Sequence, residues 1–168
     1  MTQVEAAFVT LYDAHYDEVH SFCARRVGWA EAGDVAADVF TVVWRRIDEV
    51  EHDTVRAWVF GIARGVLRNR WRSAARRARL VERVRAEPVR PPDGPEAATV
   101  RRSVDDEVIA ALTALRRRDQ EILRLAAWDD LSGPEIASVL GISLDAVHQR
   151  LSRAKRRLAD ELAGRGSA

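Results

Sequence analysis

The sequence contains one cysteine, Cys23, and one lysine, Lys155, and it has no long uninterrupted run of apolar residues. A single cysteine excludes a disulfide framework and a metal cluster built from several cysteines. Because Cys23 lies among apolar residues at helical spacing, we expect a small buried side chain there instead of a reactive thiol. A membrane-spanning helix needs about 18 or more consecutive apolar residues, and no signal peptide is visible, so we expect a cytoplasmic protein.

The charges are distributed unevenly, although the net charge is only +1. Residues 1–60 contain five arginines and eleven acids, whereas residues 61–90 contain ten arginines and two acids. A second basic segment, residues 146–158, contains five basic residues and no acid. Two separate basic regions are typical of a protein that contacts nucleic-acid phosphates at two places.

The apolar residues repeat at helical spacing and nowhere alternate as they would in a strand, which predicts an all-α protein. Four of the five prolines fall within residues 88–95, and such a segment is typical of a flexible or extended linker. We therefore predict two small helical domains joined by a Pro-rich linker. Their predicted bounds are 1–80 for the first domain, 81–102 for the linker, 103–163 for the second domain and 164–168 for a disordered tail.

Five helices are predicted before the last motif of the chain. The first helix has an apolar face that runs from Phe8 to Val27. The polar residues 47–54 are predicted to connect the second helix to the third. The others are predicted over Asp34–Ile47, from Val55 into the arginine run, near Val104–Leu115 and over Asp119–Ala127.

Residues 131–158 have the pattern of a helix-turn-helix, the most informative feature of the chain. Ser132 and Glu135 form a capping box that starts one helix, and Gly141 supplies the left-handed residue that ends it. Ser143 then caps a second helix with an apolar stripe on one face and polar and basic residues on the other. A basic helix surface is usually only solvated, but its combination with both caps and the glycine turn favours binding in a DNA major groove.

Both halves of the chain resemble a small bacterial sigma factor of the extracytoplasmic-function (ECF) type. Residues 34–44 (DVAADVFTVVW) resemble the segment that binds the polymerase clamp helices, and residues 56–64 (RAWVFGIAR) resemble the start of the promoter-melting helix. Residues 119–125 and 131–158 resemble the part that reads the upstream promoter element. A helix-turn-helix alone is shared by many regulators, whereas this pair of segments, in this order across a Pro-rich linker, is specific.

The resemblance implies a subunit that binds core RNA polymerase and directs promoter-specific initiation by recognising the −10 and −35 elements. Its implied partners are core RNA polymerase, promoter DNA and an anti-sigma protein, without a small-molecule substrate. The polymerase-binding residues would be Asp34, Asp38, Val39, Phe40, Val43 and Trp44. The residues for the −10 element would be His52, Asp53, Arg56, Arg64, Arg68, Asn69 and Arg72. The −35 element would be read at base edges by His148, Gln149, Ser152 and Arg153, and held at phosphates by Arg150, Lys155 and Arg156.

Several positions leave alternatives open. Trp44 is expected either in the core, which is favoured for a tryptophan at helical spacing, or at the polymerase. Trp71 is expected to pack between helices, with base stacking as the alternative. The chain has Ala37, Gly65 and Asp145 where many relatives have Gln, Asn and Gly, which predicts altered specificity at these contacts.

Two other classes of protein compete with this interpretation. The first is a stand-alone helix-turn-helix regulator whose first domain dimerises or senses a ligand. The second is an enzyme such as a nuclease, which would need clustered carboxylates for a metal, and the acids of residues 34–49 lack that spacing. His15 and His20 are five residues apart, one step from the spacing that a helical metal site favours. We therefore predict no enzymatic activity, no cofactor and no metal site.

Overall fold

The computed structural model describes residues 2–50, 54–84 and 104–165. Within these ranges the chain forms seven α-helices and one short 3-10 helix, Ile47–Glu49, and no strand, so the all-α prediction is confirmed. The helices are α1 (Gln3–Val27), α2 (Trp29–Arg45), α3 (Val55–Val84), α4 (Val104–Ala114), α5 (Arg117–Ala127), α6 (Gly133–Leu140) and α7 (Leu144–Arg165). None of these helices is long and apolar enough to cross a membrane.

Helices α1, α2 and α3 form the core of the first half. A capping box between Thr2 and Glu5 starts α1, and Gly28 ends it with a φ of +85°. Gly28 lets the chain turn at once into α2, which therefore begins five residues earlier than the predicted start at Asp34. Phe22 of α1 and Phe60 of α3 pack edge to face in this core, with ring centroids 5.1 Å apart.

Cys23 lies in the same core and is fully buried. Burial raises the pKa of its thiol to about 11. Since the thiolate is the reactive form, we expect the folded protein to react with a disulfide reagent at pH 8 at least roughly a hundredfold more slowly than the denatured chain. A colorimetric thiol assay with and without denaturant measures this ratio, and equal rates would contradict the described burial.

Helices α4 to α7 form the second half, and α6 and α7 are the predicted helix-turn-helix. The capping box of Ser132 and Glu135 is formed, and Gly141 adopts the left-handed conformation with a φ of +64°. Ile122, Leu125 and Val147 are fully buried in the core of this half. The capping box and the left-handed Gly141 therefore bound α6 as the sequence predicts.

The two halves contact each other directly. Helix α6 packs on α3, and the buried apolar side chains of both halves form one continuous cluster. We call this contact, together with the ion pairs described below, the closed arrangement.

The ends of two helices differ from the predicted bounds. Helix α3 continues to Val84, into the predicted linker 81–102, and α7 continues to Arg165, into the predicted tail 164–168. The predicted polar connection, residues 47–54, contains the 3-10 helix, in which Ile47 is buried. The remainder of the linker and of the tail lies outside the described residues.

Candidate nucleic-acid interface

Helix α7 exposes every residue that was predicted to contact the −35 element. Val147 and Ala154 face inward and are fully buried, whereas Leu144 at the start of the predicted apolar stripe is 40% exposed. The exposed polar residues are His148, Gln149, Arg150, Ser152, Arg153, Lys155 and Arg156. Because these residues lie on the side of the helix opposite the buried stripe, they form one continuous face. We call it the recognition face.

Two contacts hold α7 in place below its recognition face. The guanidinium of Arg157 donates a hydrogen bond to the carboxylate of Asp119, which is almost fully buried at the start of α5. A Cβ on Gly133 would lie 2.9 Å from Cδ1 of Leu144 and 3.4 Å from Nε2 of His148. Gly133 therefore leaves room for the side chains of Leu144 and His148 at the start of α7, a feature that the sequence reasoning missed.

The residues predicted for the −10 element divide into two groups on α3. Arg68, Asn69 and Arg72 are exposed and available to a ligand. Arg56 and Arg64 are instead paired with acids of the second half. His52 and Asp53, which were also predicted for this element, lie outside the described residues.

Arg56 is the most densely bonded of these side chains. Its guanidinium donates hydrogen bonds to the carboxylates of Glu18 and Glu135, and to the backbone carbonyls of Asp129 at 3.0 Å and Asp130 at 3.2 Å. Burial alone would lower the pKa of Arg56, but the hydrogen bonds with Glu18 and Glu135 raise it above the usual value. The same contact, with the hydrogen bonds from Ser132, outweighs burial and lowers the pKa of Glu135. Both groups are therefore fully charged near neutral pH.

Asp129 joins the two halves from the other side. Its carboxylate is fully buried and accepts hydrogen bonds from Arg25 and Arg26 at the end of α1, with 2.7 Å between Asp129 Oδ2 and the Arg26 guanidinium. Nearby, Arg64 donates to Glu121 of α5 at 2.6 Å. The closed arrangement therefore contains charged hydrogen bonds at three places, and it occupies two of the arginines predicted to bind DNA.

The structure buries three of the residues predicted to bind polymerase and corrects the prediction for the two valines. Val39 and Val43 are fully buried and Phe40 is 3% exposed, because they lie on the face of α2 that packs against α1 and α3. The valines therefore belong to the core and offer no apolar surface to a partner. Asp34 and Asp38 are exposed, and Asp38 accepts a hydrogen bond from Arg70 at 3.3 Å.

Aromatic side chains of α1 and α2 line an open groove of about 400 Å³. We call this the aromatic groove; its aromatic residues are Phe8, Tyr12, Tyr16, Phe40 and Trp44. The rings touch one another, with centroids 5.1 Å apart for Phe8 and Trp44 and 4.7 Å apart for Tyr12 and Phe40. The repeat of aromatic residues every four positions in α1 was the available signal for this surface, but the sequence reasoning assigned that face to the core.

Both tryptophans whose position was left open are at the surface. Trp44 is 44% exposed, so the favoured expectation of a place in the core was wrong for it, and Trp71 is 49% exposed. Each is on a helix whose inward positions are already filled by smaller residues, such as Val43 on α2 and Leu67 on α3. Both indole rings are consequently accessible to a partner.

The fold and the recognition face together define an all-α protein with a helix-turn-helix in its second half. The Sigma-70 region 2 family model matches residues 11–77, and the Sigma-70 region 4 model matches residues 105–158. The relatives include the RNA polymerase sigma factor CnrH of Cupriavidus metallidurans, 29% identical over 137 residues that cover 77% of this chain and 72% of CnrH. Another is the ECF RNA polymerase sigma factor BldN of Streptomyces coelicolor, 32% identical over 165 residues that cover 91% of this chain and 59% of BldN.

Solved structures show the same fold. CnrH in complex with the cytosolic domain of CnrY has a TM-score of 0.63 at 28% identity, covering 95% of this chain and 90% of that chain. The sigma factor RpoE of Bartonella quintana, in complex with the anti-sigma factor NepR, has a TM-score of 0.63 at 21% identity, covering 95% of this chain and 96% of that chain. The chain belongs to the sigma-70 family, as a sigma factor of the ECF type. As such it binds core RNA polymerase and promoter DNA and directs transcription initiation.

Proposed function

We propose that the recognition face of α7 reads the −35 element as duplex DNA, and that the exposed face of α3 binds the −10 element as a single strand. The observation that carries this proposal is the exposure of all seven polar residues on one face of the second helix of a helix-turn-helix. Such a face has the shape and charge to enter a major groove. On α3, the guanidinium groups of Arg68 and Arg72 suit phosphates, and Trp71 beside them suits stacking on a base. Two domains, 1–80 and 103–163, would thus each carry one promoter contact.

A run-off transcription assay tests this proposal. Core polymerase with this chain is expected to start transcription from a promoter selected by the complex, and base changes in either element should reduce the product. Initiation that depends on only one element would contradict the assignment of one element to each domain.

Promoter binding would require the two halves to separate. In the closed arrangement Arg56 is bonded to Glu135 and Arg64 to Glu121, so neither guanidinium is free for a DNA phosphate. Core polymerase would separate the halves if it bound the open arrangement more tightly than the closed one. We therefore assign the closed arrangement to the free protein and an open one to the polymerase-bound protein.

The aromatic groove is proposed as the docking surface for the polymerase clamp, and the exposed Asp34 follows its lining residue Gly33 in the chain. Replacing Trp44 with alanine is expected to weaken binding of core polymerase by at least about 2 kcal/mol, roughly thirtyfold, because exposed tryptophans dominate the energy of interfaces that bury them. Trp44 is outside the core, so the variant should fold normally. Titration of fluorescently labelled protein with core polymerase measures the change.

Trp29 provides a matched control for this experiment. It is 75% exposed at the start of α2, outside the aromatic groove, and contacts only the ring of His20 among the aromatic side chains described. Trp29→Ala should bind core polymerase as tightly as the unchanged protein. Equal losses in the two variants, or no loss in Trp44→Ala, would show that the clamp docks elsewhere.

An anti-sigma protein is proposed as a further partner. The solved relatives that share this fold were determined with such proteins or with a cytosolic domain of a second protein bound to them. A partner recovered with this chain in a native pull-down is expected to compete with purified core polymerase for the purified chain. Simultaneous binding of both would contradict an inhibitory role.

The chain is further proposed to act in the cytoplasm, where polymerase and promoter DNA are located, and to act by binding without catalysing a reaction. This agrees with its membership of a family of initiation factors.

A further inference from the structure

A cavity of about 680 Å³ lies between the two halves of the protein, and arginines dominate its wall. Side chains of α1, α3 and α5 bound it, and the only acid in the described lining is Glu121. The arginines are Arg25, Arg26, Arg64, Arg68, Arg117 and Arg124. A concave surface lined by charges of one sign concentrates ions of the opposite sign.

Half of these arginines have an acid to pair with and half do not. Arg25 and Arg26 share the carboxylate of Asp129, and Arg64 pairs with Glu121. The other three arginines are Arg68, Arg117 and Arg124. None of them has a carboxylate of the described residues within ion-pair distance. Among the described residues, the lining of the cavity therefore carries an excess of positive charge.

The excess of positive charge is unfavourable for Arg124. Its Nε is fully buried and has no hydrogen-bond partner within the described structure, although its guanidinium lies 5.6 Å from the ring centroid of Trp128. Burial and the neighbouring charge of Arg26 lower the pKa of Arg124. A buried donor without a partner and a repulsion between guanidinium groups both destabilise the closed arrangement. An anion bound beside Arg124 and Arg26 would reduce the repulsion between their guanidinium groups.

The volume and the lining residues of the cavity indicate which class of anion would bind there. Its volume falls within the range of roughly 300–1,000 Å³ that is typical of small-molecule sites. Phosphate groups accept paired hydrogen bonds from guanidinium groups, and several arginines on three helices suit more than one phosphate. Trp71, Ala74 and Ala75 add an apolar part to the wall, against which a flat ring would lie. We propose that this interdomain cavity binds a small phosphate-bearing anion of nucleotide size.

Because the arginines come from both halves, a bound anion would link α1 and α3 to α5. Ligands that bind only one arrangement stabilise it by mass action, so the anion would favour the closed arrangement. The unfolding temperature of the full chain is therefore expected to rise with ligand concentration. This role goes beyond promoter recognition and does not depend on it.

The experiment titrates the purified full chain with inorganic pyrophosphate, and separately with a nucleoside triphosphate, by calorimetry at constant ionic strength. One saturable site is expected for at least one of them. Arg117→Ala, which removes an exposed cavity arginine and no described ion pair, should weaken binding at least about tenfold, as expected for the loss of charge-assisted hydrogen bonds. The matched control is Arg118→Ala, an exposed neighbour on α5 that does not line the cavity and should change binding less than about twofold.

Comparing the affinities of pyrophosphate and the triphosphate distinguishes a nucleotide ligand from phosphate groups alone. A nucleotide is supported if the triphosphate binds more tightly than pyrophosphate and quenches a tryptophan fluorescence signal that Trp71→Ala abolishes. Equal binding of the two ligands would support recognition of the phosphate groups alone. A third titration uses a short single-stranded oligonucleotide. The proposal is overturned if neither small anion binds, if Arg117→Ala and Arg118→Ala weaken binding equally, or if only the oligonucleotide binds in a manner that depends on Arg117.

Discussion

Replacing Asp129 with asparagine is expected to destabilise the closed arrangement by about 3 kcal/mol, or roughly two orders of magnitude in its equilibrium constant. Asp129 accepts hydrogen bonds from both Arg25 and Arg26, and the side chain of Arg26 is only 7% exposed. Asparagine keeps the shape of the side chain but removes the charge, so two guanidinium groups would remain next to a neutral amide. Small-angle scattering should show a larger radius of gyration for the variant than for the unchanged protein.

The same variant should bind a single-stranded −10 oligonucleotide more tightly, because separation of the halves releases Arg56 and Arg64 from Glu135 and Glu121. Asp130→Asn is the matched control. Asp130 is exposed, and its positive φ of 49° is a conformation that asparagine tolerates. If both variants keep the compact radius and the original affinity, the closed arrangement does not depend on Asp129 and does not restrict DNA binding.

Arg153→Ala is expected to weaken binding to a cognate −35 duplex by about 1–3 kcal/mol and to relax the preference at one base pair. Arg153 is exposed in the middle of the recognition face, where a guanidinium can donate two hydrogen bonds to the major-groove edge of a guanine. Since the side chain has no ion-pair partner among the described residues, its loss should not alter the fold. Binding measured against duplexes with each base substituted in turn would identify the affected position.

Lys155→Ala separates base recognition from phosphate binding. Lys155 lies on the same exposed face but is assigned to a phosphate, so its loss should weaken binding to all sequences equally and reduce the salt dependence of binding by about one unit of slope. A uniform loss in Arg153→Ala, indistinguishable from that in Lys155→Ala, would assign Arg153 to the backbone as well.

The local elements of this protein followed from short-range signals in the sequence. The capping box of Ser132 and Glu135 and the left-handed Gly141 set the bounds of α6 within a few residues, because caps act through neighbouring backbone groups. The recognition face was predictable for the same reason: a helix with one apolar stripe must expose the opposite side. The start of α2 was missed because the sequence reasoning did not treat Gly28 as the end of α1.

Side chains at the boundary between core and surface were predicted less well. Periodicity identified α2 as amphipathic, but it did not distinguish Phe40, which is 3% exposed, from Trp44, which is 44% exposed. Both are aromatic and lie one helical turn apart, so periodicity alone places them on the same face of α2. The aromatic groove exists because two helices present rings to the same opening, and one helix alone does not reveal it.

The helical fold and the exposed basic face of α7 were thus decided by the sequence, because capping, periodicity and charge patterning act over a few residues. The family was indicated by the resemblance of longer segments in both halves. The pairing of the halves was decided only in three dimensions. Asp129 and Arg26 are separated by about a hundred residues along the chain, and nothing in the local sequence of either predicts a shared buried ion pair. Long-range contacts of this kind depend on how the surfaces of the two folded halves fit together. They determine the positions of Arg56, Arg64 and the cationic cavity.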